Sequence, residues 1–319
     1  MNASSTLALP AWHAGEIAMQ RTVGMAERMA EIGQRVMRDF MPDQHREFFA
    51  QLPFVVLGAV DEAGDAWATV RAGQPGFLHA PDSCRLRVAL PREPEDPADA
   101  GMEDGDAIAM LGIELHTRRR NRMNGTIRRG AAAGFDVDVV QSFGNCPQYI
   151  QLRDHAYVER QAGEGGAEAL VALDDEARAL ISAADAFFVA SYVEREDGRR
   201  QVDVSHRGGK PGFIKIDEGG TLTVPDFSGN MFFNTLGNFI ENPRAGLVFV
   251  DFSSGDLLQL SGDVAVLLDA PEAAGFEGAE RIWRFTPRRI VRRRAALPLR
   301  WAARADGASP AALRTGGWT

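Results

Sequence analysis

At 319 residues, 45% apolar and 25% charged, the chain is long enough for two domains of ordinary size and has the composition of a globular protein. A net charge of −9 argues against nucleic acid as a partner, because a phosphate-binding surface needs an excess of Lys and Arg. There is no apolar run of membrane-spanning length, and the N-terminus lacks the basic-then-apolar pattern of a secretion signal. Two cysteines, Cys84 and Cys146, stand far apart in no ligand-like spacing, so neither a disulfide framework nor a metal site is expected. These features predict a cytoplasmic protein with no membrane contact.

In chain order, residues 15–40 carry Ile17, Met19, Val23, Met25, Met29, Ile32 and Val36 at near-helical spacing, which predicts a helix. A second short helix is expected over 43–52, where Asp43 follows Pro42. The apolar run from Phe54, the turn signal at Asp61–Gly64 and a second run to Val70 read as a β-hairpin. Residues 92–106 (REPEDPADAGMEDGD) read as a solvated acidic loop. Residues 159–168 read as a linker, and the chain divides near residue 165. Residues 174–184 predict a helix with acids in its first turn. A second hairpin follows, from Phe187 through a turn at Glu196–Gly198 to a run beginning at Gln201. Residues 224–244 read as a strand end, a glycine turn and a helix over about 234–241, stopped by Asn242 and Pro243. The arginines at 284, 288, 289, 292, 293, 294 and 300 read as a face paired with acidic surface, or else as an anion site.

Several of these landmarks recur. Residues 71–77 (RAGQPGF) match 207–213 (RGGKPGF), an offset of 136. Residues 110–115 (MLGIEL) match 247–252 (LVFVDF), and 122–125 (RMNG) match 259–262 (QLSG), an offset of 137. Matched landmarks in constant order point to a duplicated unit. Many short strands with few helices imply small β-barrels, and no strand–helix alternation for a parallel sheet is present. No dinucleotide, nucleotide-phosphate, zinc-protease or nucleophile-elbow motif occurs.

The second copy alone carries an Asn-rich segment. Asn230, Asn234, Thr235 and Asn238 cluster at a helix start, where free N–H groups make an anion site. Ser205, Arg207 and Lys210 lie upstream, on or just after a strand, as charge-assisted donors for a phosphate. The plainer alternative is helix capping by the Asn and Thr side chains and a surface ion pair for the Arg.

The run from Ser205 to Phe213, together with 226–230 (DFSGN), 234–238 (NTLGN) and 242–249 (NPRAGLVF), resembles the FMN-binding split barrel of pyridoxamine-5′-phosphate-oxidase-related proteins. Residues 13–16 (HAGE), 143–150 (FGNCPQYI) and 297–301 (LPLRW) resemble a longer, two-barrel subgroup of that family. The resemblance spans about residues 12–301. It implies a mainly β fold of the α+β kind: tandem split β-barrels forming a pseudo-dimer within one chain, with an N-terminal helical segment. The expected divisions are a helical extension over 1–42, a first barrel over 43–158 with a degenerate flavin site, a second FMN-binding barrel over 170–301, and a C-terminal tail over 302–319.

The resemblance further implies phosphate contacts from Arg207, Asn234, Thr235 and Asn238, with Ser205 and Lys210 nearby, and ring contacts from the backbone around Asp226, Phe227 and Asn230. The acidic 92–106 replaces the Asn-rich segment in the first copy, and carboxylates there would repel a phosphate. One FMN per chain is therefore expected. The family's Arg-Lys pair near the helix start is replaced by Leu236 and Gly237, which puts vitamin B6 phosphate oxidation in doubt.

Other residues read two ways. Cys146 is a thiol on the flavin face or a buried structural cysteine. Tyr149 and Trp301 cover the ring or pack a core. His13 and His206 act as acid–base groups or sit inert. Arg119, Arg120 and Arg122 approach the ring from the first barrel. No catalytic residue is assigned. The implied function is an FMN-dependent oxidoreductase acting on a small molecule or reduced nicotinamide, with homodimerisation compatible. The rival readings are a non-catalytic flavin carrier or redox sensor, and a split-barrel haem-binding protein.

Overall fold

The computed structural model describes residues 10–130, 133–159 and 165–318. Three helices open it: α1 (Ala14–Thr22), α2 (Ala26–Val36) and α3 (Asp43–Ala50). The helix expected over 15–40 is thus two helices. Gly24 takes a left-handed φ of 68° and its N–H bonds the Arg21 carbonyl, which ends α1 and turns the chain.

A first antiparallel sheet follows, from β1 (Phe54–Val60), β2 (Ala66–Ala72), β3 (Leu78–Asp82), β4 (Arg85–Val88), β5 (Ala107–Ile113), β6 (Arg120–Arg128) and β7 (Phe135–Gly144). Its strand order is β2-β1-β5-β6-β7-β4-β3. After β8 (Arg153–Tyr157), β9 (Gly166–Leu170) and α4 (Asp175–Ala183), a second sheet forms from β10 (Ala186–Glu194), β11 (Arg200–Gly208), β12 (Lys215–Ile216) and β13 (Leu222–Phe227). Helix α5 (Asn234–Glu241) leads to β14 (Arg244–Val250) and β15 (Leu257–Leu267), then α6 (Pro271–Ala274) and β16 (Ala279–Arg294). The order β11-β10-β14-β15-β16-β13-β12 repeats that of the first sheet strand for strand.

The registers correspond as well. Val56 lies opposite Val70 and Leu111, as Phe188 lies opposite His206 and Val248. Both sheets carry a bulge where β6 meets β7 and β15 meets β16, at Gly125 and Gly262. A Cβ at these glycines would meet the Asp138 carbonyl oxygen at 2.2 Å and that of Thr286 at 2.1 Å. Only glycine permits that approach, which is why the RMNG and QLSG motifs end as they do.

Strand alternation explains the unbroken apolar runs. In β1, Val55, Leu57 and Ala59 face a core inside the first sheet, while Phe54, Val56 and Val60 face a core shared with the second. In β10, Phe187 and Val189 face the second sheet's own core, and Phe188, Ala190 and Tyr192 face the shared one. Both faces are buried, so both carry apolar side chains.

The two halves are also tied by pairing of β8 with β17 (Leu299–Ala303). Strand β9 pairs with β16, so residues 166–170 of the expected linker are strand, while 160–164 lie outside the described residues. Beyond β17, Ser309 caps α7 (Pro310–Leu313), and Trp318 packs on Phe276 at 4.9 Å and donates to the Phe213 carbonyl. Among the described residues no helix is long and apolar enough to cross a membrane.

Candidate functional site

A cleft opens where β6 and the segment after β7 meet β11, β13 and the start of α5. Both halves build it. The first contributes Arg120, Arg122, Asn145, Cys146 and Tyr149; the second contributes Ser205, His206 and Arg207, the 225–231 turn, the start of α5 and Arg281. The open space is about 110 Å³, widening to about 920 Å³ with its solvent-facing mouth.

Four arginines converge there. Asp226, itself buried, binds Arg207 at 2.7 Å and Arg281 at 2.9 Å. Arg281 also lies over the Phe233 ring at 5.0 Å. Arg122 is held by Asp203 at 2.9 Å and by the Ser205 hydroxyl. Arg120 has no such anchor among the described residues, and its Nε is buried without a partner there. Burial, and then the Arg122 charge, lower its pKa to about 10. Burial lowers Arg122 as well, against the pull of Asp203.

Further partnerless buried atoms belong to the same wall: Nε of Arg122 and Arg207, Nδ2 of Asn145, and both ring nitrogens of His206. Burial, reinforced by Arg120, Arg153 and Arg207, drives the His206 pKa well below its usual value, so the ring is neutral. At the mouth, the rings of Tyr149 and Phe227 stack 5.3 Å apart, and the Tyr149 hydroxyl donates to the Ser228 carbonyl at 3.0 Å.

Helix α5 starts from Phe233 in a left-handed conformation, and the first helical bond runs from Gly237 N–H to the Phe233 carbonyl at 2.7 Å. The N–H groups of Asn234, Thr235 and Leu236 therefore have no helical acceptor. Helix α1 crosses against α5 here. A Cβ at Gly237 would lie 2.6 Å from the Glu16 nitrogen. The close crossing leaves no room for a side chain at this position. The Glu16 carboxyl is fully buried, accepts from the His13 backbone N–H at 2.9 Å and takes the Asn234 amide. Burial, then the Asp203 charge, raise its pKa to about 8.

The structure brings together most of the residues expected to bind the cofactor. Ser205, Arg207, Asp226, Phe227, Asn230, Asn234 and Thr235 all line the cleft. Two do not. Lys210 donates to the Thr315 carbonyl at 2.5 Å, because the chain beyond α7 folds back to meet it. Asn238 is buried one turn further along α5, where its amide donates to Ser191 at 2.9 Å and Asp203 at 3.0 Å and its oxygen meets His13 at 2.8 Å. Asp226 enters through its carboxylate, which fixes two arginines, and not only through its backbone.

Arg120 and Arg122 reach the cleft, whereas Arg119 lies over Phe48 at 4.6 Å. Cys146 and Tyr149 line it; Trp301 packs instead on Phe54 and Phe252, at 5.5 Å from each. His13 caps α1. Arg281 was not foreseen. Its signal was the strand register that places it opposite Asp226.

The acidic 92–106 is a solvated loop only in part: Glu95, Glu103 and Asp104 are exposed, but its middle is buried. It turns inward as a 3-10 helix over Pro97–Gly101, and Asp96 is 1% exposed. Asp96 meets Arg71 at 3.0 Å and Arg293 at 2.9 Å, and accepts from Thr69 at 2.5 Å and Gln259 at 2.9 Å. The registers make Thr69 and Arg71 the counterparts of Ser205 and Arg207, and Gln259 the counterpart of Arg122. Of the expected arginine face, Arg284, Arg288, Arg289 and Arg294 do pair with carboxylates while half-exposed, whereas Arg292 and Arg293 are buried ion-pair partners.

No protein-family model and no curated protein matches the sequence. Among solved structures, the chain is similar to a putative pyridoxamine 5′-phosphate oxidase from Lactobacillus delbrueckii, at 15% identity and a TM-score of 0.30, over 38% of this chain and 94% of that one. It is similar to an FAD-binding protein from Mesorhizobium loti, at 15% identity and a TM-score of 0.27, over 40% and 96%. It is likewise similar to the haem storage protein HutZ from Vibrio cholerae, at 10% identity and a TM-score of 0.26, over 38% and 93%. Its structural neighbours thus include pyridoxamine 5′-phosphate oxidase-family proteins.

Proposed function

We propose that this chain is two split barrels in tandem, a pseudo-dimer in one polypeptide, that holds one FMN in the Arg207 cleft and works as an FMN-dependent oxidoreductase on a small molecule or reduced nicotinamide. One observation carries the reading. Buried polar atoms without partners gather around a cleft that also holds four arginines. Each such atom costs about 1–3 kcal/mol if nothing meets it, and their gathering beside an open cleft supports a ligand site here.

The donors suit a phosphate-bearing ligand. Arg207 and the open N–H groups at the start of α5 would take the dianion. Arg281 shares Asp226 with Arg207, so the carboxylate stays neutralised when Arg207 turns to a ligand. Tyr149 and Phe227 offer apolar faces to a planar ring. The present space falls short of the roughly 300 Å³ that small-molecule sites begin at, so that pair must part to admit the ring. When bound, FMN would supply two-electron chemistry. Arg120 and Arg122 keep positive charge on the first half's side of the cleft. Burial and the neighbouring arginines keep His206 neutral, so it neither takes up a proton readily nor offers one as an imidazolium.

The test is an absorption spectrum of the purified protein followed by FMN titration. Flavin bands and about one FMN per chain are expected. A colourless protein that refuses added FMN ends the proposal, and oxidation of NAD(P)H with turnover separates an enzyme from a carrier or sensor. Haem has one observation in its favour, the neutral and unpartnered His206 ring, and a Soret band in the same spectrum would select it.

A further inference from the structure

Helix α1 reaches the Arg207 cleft through one side chain. The HAGE motif at 13–16 seats it there: a Cβ at Gly15 would strike the Gly237 carbonyl oxygen, so α1 and α5 touch backbone to backbone. Glu16 thereby lies against Asn234, the first residue of α5 and part of the cleft lining. Its two carboxyl oxygens have different partners. Oε2 accepts from the His13 backbone N–H at 2.9 Å, and Oε1 accepts from Asn234 Nδ2. The Asn234 amide is held by that one end, and its other end, Oδ1, is left for the cleft.

Glu16 is fully buried, and among the described residues its ion-pair contact is the His13 ring at 3.6 Å, whose pKa burial lowers. Other charges face it from every side. Asp203 of β11 disfavours its ionised form, while Arg122 of β6 and Arg195 in the β10–β11 turn favour it. Glu241 of α5 lies beside Gly15. Burial outweighs the cations, and the carboxyl keeps its proton up to about pH 8.

An ionised carboxylate can only accept hydrogen bonds, whereas a protonated one has an O–H to give. With the His13 N–H on Oε2, the proton belongs on Oε1, and the one Asn234 atom able to accept it is Oδ1. We propose that Glu16 is a positioning residue for the ligand phosphate: protonated, it turns the Asn234 NH2 into the cleft as a donor, and ionised, it takes that NH2 for itself and leaves an oxygen that repels the phosphate. The inference rests on the reading of the Arg207 cleft as a phosphate site.

The probe is FMN, titrated by its fluorescence at pH 7 and pH 9, where its phosphate is mostly dianionic because the second pKa of such a group is about 6. The parent is expected to bind about tenfold more weakly at pH 9, the worth of one charge-assisted hydrogen bond. In Glu16→Gln the His13 N–H takes the new amide oxygen and the new NH2 holds Asn234 Oδ1, which fixes the donating arrangement. That variant is expected to bind about tenfold more tightly than the parent at pH 9, a gain that loss of structure does not produce. Asn234→Ala is expected to bind more weakly than the parent at pH 7 and to show no fall toward pH 9. Thermal unfolding at both pH values checks that each variant is folded. A parent affinity that does not change with pH, or the parent's fall retained in folded Glu16→Gln or folded Asn234→Ala, overturns the inference while leaving the cleft a flavin site. Absence of FMN binding by the folded parent at both pH values overturns the cleft reading, and this inference with it.

Discussion

The two halves set the same pair of strand positions against opposite contents. In the first, Thr69, Arg71, Gln259 and Arg293 close on Asp96. In the second, Ser205, Arg207, Arg122 and Asn145 face an open cleft. The counterparts even come from matching places: Arg293 lies two residues beyond the partner of Gln259, and Asn145 two beyond the partner of Arg122. A cationic pocket at the junction of two sheets needs an anion. The first half takes it from its own chain and is sealed. In the second, Asp226 holds Arg207 and Arg281, Arg281 also meets Glu280 at 2.9 Å, and the cleft beside them stays open, which is the difference the proposed ligand would use.

The largest expected effect comes from unsealing the first half. Asp96→Ala leaves Thr69 and Gln259 without their carboxylate acceptor and Arg71 and Arg293 with only Glu93 and Asp99, at a cost of about 1–3 kcal/mol per stranded donor. Urea unfolding should show that loss, and added inorganic phosphate should recover part of it. A loss below about 1 kcal/mol would mean that Asp96 is not the anion this pocket requires.

The next effect concerns how α5 is held. Glu16 has a folded pKa raised to about 8 from a usual 4.5. Between those values the folded state keeps the proton that the unfolded chain has lost. Stability therefore falls as pH rises through this window, by about 1.4 kcal/mol per unit, and levels off above the folded value. His45 works in the other direction. Burial, then Arg38, lowers its pKa to about 4 from 6.5, so it removes stability only as pH falls below 6.5. His13, His155 and His206 are lowered by burial as well, so the Glu16 slope dominates only toward the upper end of the window, where an unfolded imidazole has also lost its proton. Glu16→Gln should flatten it, as read from unfolding midpoints across that range. A slope unchanged by the substitution would assign the pH dependence to another group.

Much of this was legible before any coordinates. The helix over 234–241, both hairpins and the paired RMNG and QLSG motifs are written in apolar period and turn residues, which act locally. Seven of the nine residues expected to hold a cofactor line one cleft because they sit at the ends of two strands, on the turn after the second and at one helix start. The misses are non-local. Asp96 reads as solvent-facing in a run of acids, and only tertiary contact with Arg71 and Arg293 turns it inward. Lys210 was drawn off by Thr315, over a hundred residues away in sequence. Asn238 was drawn off by His13, on a helix whose path the sequence did not fix.

Arg207→Ala sharpens the comparison at the ligand. It should weaken FMN binding by about 1–3 kcal/mol, the worth of a charge-assisted hydrogen bond, as measured by titration. Folding stability should change less, because Arg281 still holds Asp226. Unchanged FMN affinity would remove Arg207 from the phosphate site.

The smallest effect is the most discriminating. Arg120 corresponds in register to Leu257, a fully buried apolar residue of the other half. A desolvated guanidinium without an anchoring carboxylate contributes little to folding, and replacing such a group by an apolar one of similar size is often neutral or stabilising. Arg120→Leu should therefore leave the unfolding free energy within about 1 kcal/mol of the parent, or raise it slightly. If the cleft serves a ligand, the same change should raise the FMN dissociation constant severalfold, because positive charge is lost from one wall. A fall in stability of several kcal/mol with FMN affinity intact would make Arg120 a structural residue. The difference between the halves would then be one of packing, not of ligand.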